Sequence, residues 1–299
     1  MTWIFGKKKK LLGKSSVGDV PLYVNYYSGC SHGCLYCYSL QMAQRFCRIE
    51  SSQGLRNITY EYWRNPVLEP GWEKLEEELK SKKLKQEVFF QSASDSYAPH
   101  ADPKVTRHTL ELLRKYDYPI LVLTKNHKVL RDRDFFRDYR GNCRVGFTIT
   151  VPGKYEKVRR QIEPHSPSTK ERIEALAELY SQGCQTTISM EPLIPNIPIE
   201  DMLELMDTIR PIIYNVCFIG KLTFSSIPTQ FKNHKAWKDI GKGAYDDYYK
   251  DLLKQLLPSI KRKYNLAEHT FEFCIEHKIR GREVSYNRLP EKYQEKILS

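Results

Sequence analysis

Long apolar runs are missing from this 299-residue chain. No segment approaches the ~18 residues that a membrane-spanning helix needs. The basic cluster Lys7–Lys10 is followed only by Leu11-Leu12, too little for the apolar core of a secretory leader. The expectation is a cytoplasmic protein with no membrane partner. Internal repeats and low-complexity tracts are absent as well. Outside one loop, cysteine occurs only singly, at Cys47, Cys143, Cys184, Cys217 and Cys274. That distribution argues against a disulfide framework, and the last four, in or beside apolar stretches, read as buried free thiols. Acidic charge is also short: 48 basic side chains against 36 acidic leave +12. The excess favours an anionic partner such as DNA or RNA, although solvated lysine faces produce the same balance.

What is present is an ordinary globular composition, 40% hydrophobic and 28% charged, in a chain long enough to bury a core unaided. Candidate strands at Leu22–Tyr26, Val88–Gln91, Ile120–Thr124, Val145–Thr150, Thr186–Met190 and Val216–Gly220 alternate with helical patterns. The helices are expected at Cys34–Arg48, Trp72–Lys83, from Pro103 towards Pro119, at Ser168–Ser181 with a stop at Gly183, and at Ile199–Ile209. Such alternation predicts an α/β fold with a parallel sheet and right-handed crossovers. Three regions follow: a basic segment at 1–19, the alternating body at 20–220, and a basic, aromatic-rich extension at 221–299. The extension is expected to hold a long basic helix around Tyr249–Tyr264 and one late strand, Thr270–Ile275.

Cys30-Ser-His-Gly-Cys34-Leu-Tyr-Cys37 directly follows the first strand. An iron–sulfur cubane normally takes four thiolates, so a loop offering three leaves one iron open to another ligand. A zinc site of Cys30, His32, Cys34 and Cys37 is the competing reading. It suits a tetrahedron poorly, because His32 sits two residues from a cysteine on either side and no second cysteine pair follows.

Asn25-Tyr-Tyr-Ser-Gly-Cys30-Ser-His-Gly-Cys34-Leu-Tyr-Cys37-Tyr38 resembles the signature of the radical S-adenosylmethionine (SAM) superfamily, and within it the spore photoproduct lyase-like branch. Ser94-Asp95-Ser96-Tyr97-Ala-Pro99, Leu123-Thr124-Lys125, Thr148-Ile-Thr150 and Met190-Glu191-Pro192-Leu-Ile-Pro195 agree in order and spacing. The resemblance implies a partial (β/α)6 TIM-like barrel with its chemistry at the carboxyl ends of the strands. It also implies a [4Fe–4S] cluster on Cys30, Cys34 and Cys37, with SAM on the open iron. Reduction by a flavodoxin or ferredoxin would cleave SAM to a 5′-deoxyadenosyl radical that abstracts hydrogen from substrate.

The resemblance places Tyr36 on the adenine or the cluster, Ser94 and Asp95 at the amino end of SAM, and Lys125 at its carboxylate. Glu191 would meet a ribose hydroxyl or the ammonium, and Thr148 and Thr150 are weaker candidates. Each has a plain structural alternative: core filling for Tyr36, a helix cap for Asp95, a solvent-reaching lysine, a backbone hydrogen bond for Glu191, and strand residence for the threonines. No hydrogen-atom donor is assigned among Tyr23, Tyr26, Tyr27, Tyr38 and Tyr97.

The lyases use a cysteine near the end of strand two as hydrogen donor, and Phe90-Gln-Ser92-Ala-Ser94-Asp95 contains none. That departure puts photolesion repair in doubt. Three functions stay open: SAM radical chemistry on a nucleic acid, the same chemistry on a peptide or small metabolite, and a non-enzymatic metal-binding nucleic-acid module. The nucleic-acid surface is expected in the extension, at Lys232, Lys235, Trp237, Lys238, Lys242, Tyr245 and Lys261–Tyr264.

Overall fold

The computed structural model describes residues 3–5, 10–15, 20–51, 54–237 and 246–256. A seven-stranded sheet organises them. Its strands are β1 (Leu12–Lys14), β2 (Leu22–Val24), β3 (Val88–Phe90), β4 (Ile120–Thr124), β5 (Cys143–Thr148), β6 (Gln185–Leu193) and β7 (Asn215–Lys221). They lie side by side in chain order. β2 to β7 run parallel, and β1 is antiparallel to β2 at the edge. The six parallel strands fall where the hydrophobic runs predict them and form the expected partial barrel. The edge strand β1 lies in the basic leading segment, where no strand pattern was legible.

Alternate residues go to the two faces of the sheet. Val24, Phe90, Val122, Val145 and Ile188 join Leu110, Leu113, Phe135, Leu176 and Met206 of the covering helices in one large core. Phe89, Leu121 and Phe218, with Tyr23 and Leu123 against them, form a separate cluster on the opposite, concave face. At Gly146 a Cβ would lie 1.6 Å from the Thr187 carbonyl oxygen, so only glycine lets β5 and β6 approach this closely.

Helices start where their caps predict. Asp102 caps Pro103–Lys115 by accepting from the Lys104 amide at 2.8 Å, and Ser168 with Glu171 forms a capping box on Thr169–Ser181. The helix expected over 34–48 is shorter, Tyr38–Phe46. Gly33 has φ +61° and the Cys37 amide donates to the Cys34 carbonyl at 3.2 Å, which makes residues 33–37 a turn. After Phe46 the chain turns extended, and Cys47–Ser51 pairs with Trp3–Phe5 and Gly54–Asn57.

Beyond β7 the described residues pack back onto the barrel. Tyr249, Leu252, Leu253 and Leu256 of the helix at 246–256 enter the main core, and Lys221 pairs with Asp246 at 2.6 Å. Trp237 is 1% exposed with its indole N–H donating to the Phe231 carbonyl at 3.0 Å. The expectation that Trp237 stacks on bases is therefore corrected: its ring is core. Lys238, Lys242, Tyr245, Lys261–Tyr264 and the strand Thr270–Ile275 lie outside the described residues. Among the described residues, no helix is long and apolar enough to cross a membrane.

Candidate iron–sulfur and cofactor site

Two glycines shape the cysteine loop. At Gly29 (φ +93°) a Cβ would meet the Trp63 carbonyl oxygen at 2.5 Å, and at Gly33 (φ +61°) it would meet the Tyr60 hydroxyl at 2.6 Å. Both positions therefore demand glycine for conformation and for space. The same neighbours grip the loop, since the Cys30 amide donates to the Trp63 carbonyl at 2.8 Å and Tyr60 donates to the Gly33 carbonyl at 2.7 Å. On the other side the Leu35 amide donates to the Ile162 carbonyl at 2.9 Å.

The three thiols resist ionisation by themselves. Burial pushes Cys34 up to about 12, with Lys125 acting in the opposite direction. Burial also raises Cys30, and Asp95 adds to that. Cys37, at the N-cap of Tyr38–Phe46, is raised by burial, while the Leu40 and Ser39 amides and the Trp63 indole pull it back. Thiols of this kind deprotonate when a metal replaces the protons, so the donor set fits a cluster.

His32 cannot complete a zinc tetrahedron, because both ring nitrogens are engaged. Nε2 pairs with Asp95 Oδ2 at 2.8 Å, and Nδ1 faces the His165 carbonyl oxygen at 3.2 Å. Among the described residues no three His, Cys, Asp or Glu side chains converge on a single-ion site.

Asp95, in the turn segment that follows β3, is a hub. Its Oδ1 accepts from the Tyr97 amide at 2.8 Å, its Oδ2 from the Lys125 amide at 2.9 Å, and both oxygens lie within 2.9 Å of Thr124 Oγ1. Although burial opposes ionisation, His32 and the backbone donors hold its carboxyl far below the usual range. The carboxylate expected at the amino end of SAM thus ties the cysteine loop to the ends of β3 and β4. Ser94 donates to the Gly29 carbonyl and touches His100 Nε2 at 3.4 Å, while His100 Nδ1 lies 2.9 Å from Ser31 Oγ. Burial lowers the His100 pKa to about 4, so the imidazole bridging the two serines is neutral.

Lys125 stands next to the loop with Nζ 5.8 Å from the centre of the Tyr36 ring. Burial works against its charge, but Cys34 and Glu163 outweigh it and raise its pKa. The ammonium therefore persists in an enclosed place. Tyr36 is 9% exposed and donates its hydroxyl to Glu163. Thr150 reaches the same carboxylate at 3.0 Å, and the carbonyl of Thr148 accepts from Arg172 at 2.8 Å. Glu191 is exposed and sits over Gly220, whose missing Cβ would fall 2.5 Å from its Oε1. Beside it Tyr38 donates to the Ser92 carbonyl at 3.0 Å. Its pKa rises to about 12 through burial, with Glu191 contributing, although 45% of its surface is accessible.

The cysteines, Tyr36, Ser94, Asp95 and Lys125 thus meet around one loop. Thr148 is linked to them only through its carbonyl on Arg172, and Glu191 lies on the Tyr38 side. Sequence reasoning missed Glu163 and Arg172, a pair buried to 0% and 1%. Arg172 falls in line with Leu176 and Leu179 on the buried face of its helix, so a charge interrupting that apolar stripe is the signal that could have found it. His32 was visible, but as an awkward zinc ligand rather than the partner of Asp95.

The sequence pattern of the family described as "Radical SAM superfamily" matches residues 24–209. "Uncharacterized protein MJ0683" of Methanocaldococcus jannaschii is 32% identical over 193 residues, covering 64% of this chain and 67% of that protein. "Uncharacterized protein ORF301" of Acidianus two-tailed virus is 26% identical over 191 residues, covering 62% and 60%. Among solved structures, a spore photoproduct lyase variant with a dinucleoside spore photoproduct superposes with TM-score 0.60 at 12% identity, over 83% of this chain and 76% of that one. A second lyase variant gives 0.57 at 14%, over 86% and 78%. At such identities the likeness is one of fold.

Proposed function

Because the chain belongs to the radical SAM superfamily, we propose that Cys30, Cys34 and Cys37 hold a [4Fe–4S] cluster and that the enzyme acts on a nucleic acid. The observation that carries the cluster reading is the loop itself: one buried and two half-buried thiols with the Lys125 ammonium beside them and His32 turned away to Asp95. The bound cluster and SAM would supply one-electron reductive cleavage of the sulfonium and hydrogen abstraction from a substrate carbon. The protein orients SAM and excludes water. Lys125 binds its carboxylate, Tyr36 packs against the adenine or the cluster, and Glu191 takes a hydroxyl or the ammonium from the open side. Asp95 acts through the residues that it fixes, and Ser94 through the Gly29 carbonyl. A flavodoxin or ferredoxin delivers the electron, in the cytoplasm.

Support for a nucleic acid comes from charge and from one helix face. Tyr38, Met42 and Phe46, four residues apart, are 45%, 45% and 68% exposed. Arg45 is exposed beside them, and the helix has no acidic residue. Aromatic platforms next to cations suit unpaired bases and phosphates, and this face begins at the cysteine loop. Thymine-lesion splitting is the less supported form of the reaction. The stretch Phe90–Asp95, where the resemblance would place a lyase's thiol, has no cysteine, and within it Gln91 accepts from the Tyr26 amide at 2.8 Å and donates to the Tyr27 carbonyl at 3.0 Å. Cys143 begins β5 and Cys184 immediately precedes β6, at the strand ends away from the site.

Anaerobic reconstitution with iron and sulfide, then reduction with SAM present, tests the chemistry. Release of 5′-deoxyadenosine is expected, with its loss in the Cys30→Ala, Cys34→Ala and Cys37→Ala variants. Binding of single-stranded DNA or RNA should weaken steeply with salt and in Phe46→Ala. Turnover stimulated by a peptide or small metabolite and indifferent to nucleic acid would overturn the substrate assignment.

A further inference from the structure

The segment 162–166 runs directly against the cysteine loop. Besides the Leu35–Ile162 bond, the His165 amide donates to the His32 carbonyl at 3.3 Å, and Tyr36 donates to the Glu163 carboxylate. Arg172, from the helix Thr169–Ser181, completes the arrangement. It pairs with Glu163 and donates to Ser166 Oγ at 2.7 Å and to the Pro167 and Thr148 carbonyls at 2.9 and 2.8 Å. Arg159 holds the Glu163 and Ser166 carbonyls at 2.9 and 2.6 Å.

We propose that the buried Glu163–Arg172 pair sets the reduction potential of the cluster on Cys30, Cys34 and Cys37. The inference rests on the reading above that this loop carries a cluster. A buried ion pair holds a fold together no better than well-packed apolar side chains of the same volume, so anchoring the loop does not by itself call for two full charges. Both stand against the loop: Tyr36, between Cys34 and Cys37, donates to the Glu163 carboxylate, and Arg172 is paired with that carboxylate. Away from water such charges are weakly screened. Cluster potentials respond to net charge and to hydrogen bonding around the sulfurs. Reduction adds one electron from a flavodoxin- or ferredoxin-type donor and takes [4Fe–4S]2+ to [4Fe–4S]+ with no bond formed or broken. A neighbouring anion therefore lowers the potential and a neighbouring cation raises it. Paired, the two charges largely offset one another; removal of either exposes the other.

The test is the midpoint potential of the reconstituted protein without SAM, followed by electron paramagnetic resonance at pH 8, alongside thermal unfolding. Glu163→Gln should shift the potential upwards, Arg172→Met downwards, and the double variant back towards the parent value. A purely structural pair would lower the melting temperature in both single variants while their potentials stayed put or moved together, and that result overturns the proposal. If either single variant fails to take up iron, Tyr36→Phe decides. It keeps the core volume but removes the proton donor that partly neutralises Glu163, so its potential should fall. An unchanged or raised value overturns the proposal. If the parent protein itself assembles no cluster, the functional reading above fails instead.

Discussion

Replacing Asp95 by asparagine probes the joint that ties the cysteine loop to the barrel. The two side chains have the same shape, so the change is electronic. Asp95 Oδ1 receives the Tyr97 amide, Oδ2 receives the Lys125 amide and His32, and Thr124 reaches both. An asparagine offers one oxygen. With that oxygen towards Lys125 and His32, its NH2 points at the Tyr97 N–H; turned over, its NH2 opposes the Lys125 N–H. Either way a buried donor is stranded, at about 1–3 kcal/mol. The remaining bonds also lose their charge assistance, which brings the total to roughly 3–5 kcal/mol, the usual cost of breaking a buried charged pair. That is a large share of the ~5–15 kcal/mol by which domains are stable. Urea unfolding of the iron-free protein should show a lower midpoint at unchanged slope, and Thr124→Val, which keeps the carboxylate but removes one donor to it and the acceptor of the Asn126 amide, should cost less, about 1–3 kcal/mol. An Asp95→Asn variant within about 1 kcal/mol of the parent, no more than one ordinary hydrogen bond, would refute the assignment of Asp95 as the hub of this joint.

Gly33→Ala should abolish iron uptake with little loss of helical signal, since a Cβ at φ +61° meets the Tyr60 hydroxyl; normal iron content would show that the loop tolerates another path. Lys125→Met should weaken SAM binding by roughly 30-fold, the worth of a charge-assisted contact of about 2 kcal/mol, while leaving iron content intact; equilibrium dialysis against the reconstituted protein measures it, and unchanged affinity removes Lys125 from the cofactor site. Burial works against Glu163, but Arg172 and Lys125 hold its carboxyl down from 4.5 to about 2. A depressed carboxyl stabilises the fold above its unfolded value and loses that contribution, here of order 3 kcal/mol, as pH falls through the folded value. The melting temperature of the iron-free protein should therefore be flat above about pH 5 and fall towards pH 2, and Glu163→Gln should flatten that fall; an equal acid slope in both proteins would contradict the pairing.

The amino-acid sequence by itself determined the six parallel strands, because each is a short apolar run between helical patterns, and local periodicity needs no partner to be read. It also determined the cysteine loop, where Gly29 and Gly33 mark a backbone path closed to other residues, and it located Lys125 and Asp95 just beyond strand ends. Tertiary structure decided what those residues touch. Asp95 and His32 are 63 positions apart, and Tyr36 and Glu163 are 127 apart, so no local pattern couples them. Arg172 interrupts the buried stripe of Thr169, Ala175, Leu176 and Leu179 on its helix, but only folding brings Glu163 across to meet its charge. Trp237, an aromatic among lysines, is core for the same reason. Burial and pairing belong to surfaces brought together by folding, and a linear string records neither.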